Sequence, residues 1–516
     1  MKKLLILCSW FLIAVPLSAG ERVVLWPEGK IPDLQSHQIA ATTQEMNAPG
    51  FKAAENIMPH LDWYEAPADK NGRCMLLISG GAYNNCCDGI WIDRVAEKFT
   101  GAGYDELTKH AVNATYGSRR SFGHGVYNPS ADKTVICWNG ERMSIYVREF
   151  DHKTRQWSES VQAYPLNFIG IWDYHNYPCI VRAPDGHYLI FYFFHSWCAY
   201  LVRSPGPDRI DGTWSHSLLS NDRCAYPMPV VVDDTIYLFY SSTAAFWYRP
   251  YRMIKSTDNG KTWSEPVTLI DSGHKQEEKY DEVYLHGFSV DYGGKDEPAR
   301  ILLGWEMASG PKGHNEGGYG NFVACFNCEN GKMYNAAGRD LGSVVDLEEM
   351  YNDCIISDAR SADSRLFGYT TFPEFLPDGS IAVLYSLKGR NCIVNWRHSS
   401  WELTELPITG GIDDYQRTDN GSYVILSGGN KAVTVWESDN GVNDWREKSV
   451  TKLPSENGSD AAVKGFIDGF RSEVQWMAVT YDIDQRKKDY SGKWPVFTYG
   501  VVLEKTDGSS QESDCD

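Results

Sequence analysis

Two histidines twenty residues apart, His175 and His195, bracket one apparent β-hairpin, and a tyrosine, Tyr226, takes almost the same local position in the next stretch. His175 stands just before Pro178 in Asp173-Tyr-His175-Asn-Tyr-Pro178, and Tyr226 just before Pro227 in Ala225-Tyr226-Pro227. His124, ahead of Pro129, precedes them in the same way. Imidazole and phenol can each donate or accept a proton, and their surroundings can pull their pKa values toward a working pH. Groups of this kind at matching positions suit acid–base chemistry, provided that the fold brings them to one place.

The elements that must position them repeat along the chain. A proline, a few apolar residues, an Asp-rich turn and an apolar strand recur at Asn128-Pro129, Tyr177-Pro178, Tyr226-Pro227 and Phe372-Pro373. The first three prolines are 49 residues apart (178 − 129 and 227 − 178). A turn with an aromatic residue recurs at Trp157, Trp214, Trp263, Tyr334 and Trp445. Hairpin repeats of this length predict a β-propeller, in which each blade buries its faces only against its neighbours. Units near 124–160, 172–217, 223–270, 284–335, 369–407, 411–450 and 465–505 predict an all-β, seven-bladed propeller over 113–505. Residues 336–368 are a long insertion, and 506–516 a polar tail expected to be disordered.

Composition bounds the rest. Of 516 residues, 18 are Trp and 30 Tyr, a content that suits sheet cores and sugar-stacking clefts alike. Lys2, Lys3, the apolar run Leu4–Pro16 and Ser18-Ala19-Gly20 predict a secretory signal over 1–20. That run is too short to span a bilayer, so a secreted or periplasmic, monomeric protein is expected. The formal charge is −19, which argues against a nucleic-acid partner. An acidic substrate then needs a local basic patch on an acidic body. No redox or nucleotide cofactor is implied.

Residues 21–104 read differently. Arg73-Cys-Met-Leu-Leu-Ile-Ser79-Gly-Gly-Ala-Tyr83 predicts a buried strand entering a Gly-rich turn, and Trp91–Gly103 an amphipathic helix. This small α/β segment resembles the opening of α/β-hydrolase carbohydrate esterases. No Gly-x-Ser-x-Gly nucleophile elbow follows, so it is expected to be inactive; a strand and helix packed on the main domain fit the same residues.

Over 113–405, Asp173–Pro178, the strand ending in His195, Ala225-Tyr226-Pro227 and the Asp-box-like Ser256-x-Asp258-x-Gly260-x-Thr262-Trp263 resemble the BNR-type propeller family that includes ulvan lyases. The resemblance implies cleavage of a uronate polysaccharide by β-elimination. That reaction needs a neutraliser for the carboxylate, a base for the C5 proton and an acid for the leaving oxygen. It implies His175 and Tyr226 as the acid/base pair and His195 at the carboxylate. The family's arginine neutraliser has no counterpart at Tyr240-Ser-Ser-Thr. Arg249 and Arg252 are the nearest candidates, because a guanidinium forks onto a carboxylate. Tyr284, opening the next inner strand, is a further expected substrate contact.

His314, Cys325, Cys328 and Cys392 suffice for a tetrahedral structural zinc site, and ulvan lyases of this type carry such a zinc in a similar His-then-two-Cys order. A disulfide or free buried thiols fit the same cysteines. The rivals to a lyase are a sialidase-like hydrolase, disfavoured by the lack of an arginine triad, and a non-catalytic sugar-binding propeller.

Overall fold

The computed structural model describes residues 124–452 apart from internal segments, chief among them 166–176, 194–196, 243–247, 274–280, 308–319 and 359–366. Outside that span it places strands within 4–24, 60–78 and 459–503. The chain divides into two compact units, 1–109 with 490–492 and 110–489 with 493–516. In the first, Leu4–Cys8 pairs with Phe11–Val15. Arg22–Val24, His60–Trp63 and Leu76–Ile78 form an antiparallel sheet with His60–Trp63 in the centre. The expected helix over Trp91–Gly103 lies outside the described residues.

The second unit is a β-propeller, with six four-stranded antiparallel blades among the described residues. They occupy 125–164, 178–220, 224–270, 281–334, 367–405 and 411–452. The one strand Ser215–Val232 serves two of them. Its first part pairs with Trp197–Arg203 at the edge of blade 2, and its second part pairs with Thr235–Ser242 as the inner strand of blade 3. The strands Ser459–Arg471, Val474–Asp482 and Thr498–Leu503 continue the sheet of blade 1, through parallel pairing of Asp468 with Val126.

The period-2 pattern of the strands explains why blades stack. Tyr188–Phe193 is buried throughout, because successive side chains point to opposite faces of the sheet. Tyr188, Ile190 and Tyr192 join the apolar cluster between blades 1 and 2. Leu189, Phe191 and Phe193 join the cluster between blades 2 and 3. Similar clusters fill the spaces between blades 3 and 4, 4 and 5, and 5 and 6. Blades 4 and 5 approach most closely at two glycines. A Cβ on Gly304 would stand 2.6 Å from the Thr371 carbonyl oxygen, and one on Gly287 2.8 Å from the Phe372 ring.

The Asp-box-like turn is a clasp between blades. Asp258 accepts hydrogen bonds from the backbone N–H of Lys261 and Thr262 and from the hydroxyls of Ser256 and Thr262. These bonds hold its carboxyl down at about 2. The turn presents Asn259 to blade 2, where its side-chain oxygen accepts from Asp185 N and its carbonyl from Arg203 Nη1. The insertion after blade 4 contains a short helical turn, Leu347–Glu349, opened by an Asp346–Glu349 capping box, that runs on into a π-helical stretch, Met350–Cys354.

Candidate active site

The inner strands of blades 2, 3 and 4 all open at one end of the propeller. Register shows this directly for blade 2, where Pro178 pairs with Tyr192. The described strands therefore stop together, one residue after the segment 166–176 and directly before 194–196. His175 and His195 lie in those segments, outside the described residues, as does His314.

Three tyrosines mark the openings. Tyr177, Tyr226 and Tyr284 belong to the same apolar cluster. Tyr226 meets Tyr284 edge to face, with ring centroids 5.7 Å apart. On the other side, His124 at the start of blade 1 lies 5.9 Å from the Tyr177 ring. A row of His124, Tyr177, Tyr226 and Tyr284 thus runs across four consecutive blades. Tyr177 carries the same Tyr-Pro signal as Tyr226, so the sequence contained it without assigning it a role.

Tyr226 is set apart by its backbone. It sits at φ 60°, in the left-handed region that a bulky residue rarely enters, at a register break between Ala225 and Met228. A bulge of this kind re-aims a side chain, and strained backbone of this kind concentrates at functional positions. The Tyr226 carbonyl accepts the Tyr251 hydroxyl at 3.4 Å, which ties the bend to the third strand of the blade.

The two arginines differ. Arg249 is buried, on the two-residue strand Tyr248–Arg249 that pairs in parallel with the inner strand of blade 4. Its Nε lies 2.9 Å from Oε1 of Glu282, which is fully buried. The Arg249 charge is therefore matched within the protein. Arg252 is half-buried opposite Tyr240 in blade 3. Glu282 also accepts the Tyr284 hydroxyl on Oε2 at 3.5 Å. Its role was not legible in the sequence, because nothing in Tyr280-Asp281-Glu282 announces a buried partner. Below this level His286 and Glu306, both fully buried, lie 3.7 Å apart, and Asn321 donates to Thr371 across to blade 5.

No family model matches the sequence, and no curated protein matches it. In three dimensions the chain resembles an ulvan lyase of polysaccharide lyase family 25, solved bound to -[GlcA(1-4)Rha3S]-. The TM-score is 0.62 at 16% identity, over 77% of this chain and 96% of that one. A second structure of an ulvan lyase from family 25 gives 0.61 with the same identity and coverage. The polysaccharide lyase Uly1 gives 0.51 at 12% identity, over 78% of this chain and 94% of that one. The fold is shared with solved ulvan lyases.

Within this fold the three cysteines among the expected zinc ligands fall at two blade interfaces. Cys325 and Cys392 share the cluster between blades 4 and 5. Cys328, three positions along from Cys325, packs against the cluster between blades 3 and 4. Cys325 is in the strand Gly320–Asn327, whereas Cys328 lies in the turn that follows it. Among the described residues no three His, Cys, Asp or Glu side chains stand together as a metal set; of the expected ligands, Cys325, Cys328 and Cys392 are described and His314 is not. All three are free thiols, not disulfides.

A cavity of about 730 Å³ opens between the inner strands of blades 2 to 6, and its lining includes Ser289, Glu374, Asp414 and Arg417. None of the described candidate site residues lines it, Tyr177, Tyr226 and Tyr284 included. Glu374 there accepts from the backbone N–H of Phe375 and Arg417. Burial pushes its carboxyl up to about 8, against those hydrogen bonds.

Proposed function

We propose that this protein is a polysaccharide lyase that cleaves a uronate-containing, ulvan-like polymer by β-elimination. The observation that carries the reading is Tyr226: a buried tyrosine held in a strained backbone conformation at a bulge, at the blade end where the inner strands open. The solved lyases of the same fold support it, one of them bound to a glucuronate-containing sugar.

In this reading the C5 proton of the uronate is removed, the C4–O glycosidic bond breaks, and a C4=C5 double bond remains in the product. The departing oxygen takes a proton. Tyr226 and His175 share the acid and base roles, since phenol and imidazole can each hold or release a proton. Arg252 and His195 face the carboxylate, whose charge must be offset before the C5 proton becomes acidic enough to leave. Tyr284 lines the sugar path beside Tyr226. The strands at 459–503 form the seventh blade, and residues 1–20 act as an export signal.

Ultraviolet absorbance of purified protein mixed with ulvan tests the reading, because elimination leaves an absorbing unsaturated sugar. A rise with time is expected. New reducing ends without a rise would mean hydrolysis. Polymer retained at unchanged chain length would mean a binding propeller.

A further inference from the structure

We propose that Glu282 is a positioning residue for Tyr226, acting through Tyr284 and Arg249; this rests on the reading of Tyr226 as an acid/base group. Glu282 is fully buried on the inner strand of blade 4. One carboxylate oxygen takes Arg249 from blade 3 at 2.9 Å and the other takes the Tyr284 hydroxyl at 3.5 Å. Tyr284 in turn meets the Tyr226 ring edge-on. A single buried carboxylate thus links the arginine of one blade to the two tyrosines at the mouth.

The arrangement does two things for the site. It gives the Tyr284 hydroxyl an acceptor, and so orients the ring against which the Tyr226 ring is set. It also holds the Arg249 charge back from the mouth, so that Arg249 does not compete with Arg252 for the substrate carboxylate. A pair that served only to latch blade 3 to blade 4 would contribute to stability and leave turnover unchanged. Isosteric apolar replacement of a buried ion pair is often neutral or stabilising, so the two roles can be separated.

The experiment compares the full chain with Glu282→Gln and with the double variant Glu282→Leu/Arg249→Met. Unsaturated product is followed by absorbance, with kcat and KM resolved, well below the Tm of each protein. Glu282→Gln is expected to lose folding stability and kcat together. The double variant, which buries no charge, is expected to recover Tm while kcat stays down by about 100-fold, the scale of a small misplacement of reacting groups, with KM little changed. A double variant with the Tm and kcat of the unsubstituted protein overturns the proposal and leaves the pair as a latch. If the unsubstituted protein yields no unsaturated product from any uronate polymer, the lyase reading itself fails, and the proposal falls with it.

Discussion

Arg249 and Glu282 form a buried ion pair, Nε to Oε1 at 2.9 Å, across the boundary between blades 3 and 4. The sequence offers Arg249 and Arg252 as equivalent carboxylate neutralisers three residues apart. The pair makes them unequal. Arg249→Met is expected to destabilise the fold by about 3–5 kcal/mol, because it strands a buried carboxylate. Arg252→Met, at a half-buried position, is expected to cost less stability than Arg249→Met and to weaken turnover on a uronate polymer. Thermal unfolding of both variants beside the absorbance assay checks the contrast; equal losses of stability would remove it.

Tyr226→Phe keeps the ring that packs against Tyr284 and deletes only the hydroxyl. Product formation is expected to fall by about 100-fold or more, the usual contribution of a general acid or base, with an unchanged melting curve. Retention of turnover in a folded Tyr226→Phe protein would remove Tyr226 from the chemistry.

Glu374 ties stability to pH. Its carboxyl rises from an ordinary 4.5 to about 8 on folding, because burial penalises its charge. The folded chain then binds a proton that the unfolded chain releases. The contribution is fully present below about 4.5 and is lost as pH rises through about 8, at up to about 1.4 kcal/mol for each pH step between. Glu374→Gln cannot ionise, so its melting temperature is expected to fall less between pH 5 and 8 than that of the unsubstituted protein. Parallel curves for the two proteins would show that Glu374 titrates normally.

Gly304→Ala tests a close approach between blades 4 and 5. Its Cβ would meet the Thr371 carbonyl oxygen and the Pro373 ring at 2.6 and 2.7 Å. Overpacking of this kind typically costs about 1–3 kcal/mol. A lower denaturation midpoint is expected, whereas Gly294→Ala, which meets nothing within 4 Å and has no positive φ, is expected to leave it nearly unchanged.

The sequence by itself determined the periodicity of this protein. Pro129, Pro178 and Pro227 at equal spacing, with Asp-rich turns and apolar strands after them, located the blade-forming units, because strand alternation and turn chemistry are local properties. The Asp258 turn was legible for the same reason, since its carboxylate bonds lie within four residues. Only tertiary structure decided which groups meet. Glu282 is 33 residues from Arg249 in the chain, yet a two-residue parallel pairing sets them side by side. Cys325 and Cys328 are close in sequence, yet the strand ends at Asn327 between them and they pack at different interfaces. Tyr226 reads as one more Tyr-Pro in the sequence, and its left-handed backbone arises from a bulge that exists only once two strands pair. Local pattern builds a blade; contacts between blades, formed across chain separations that no local signal encodes, build the site.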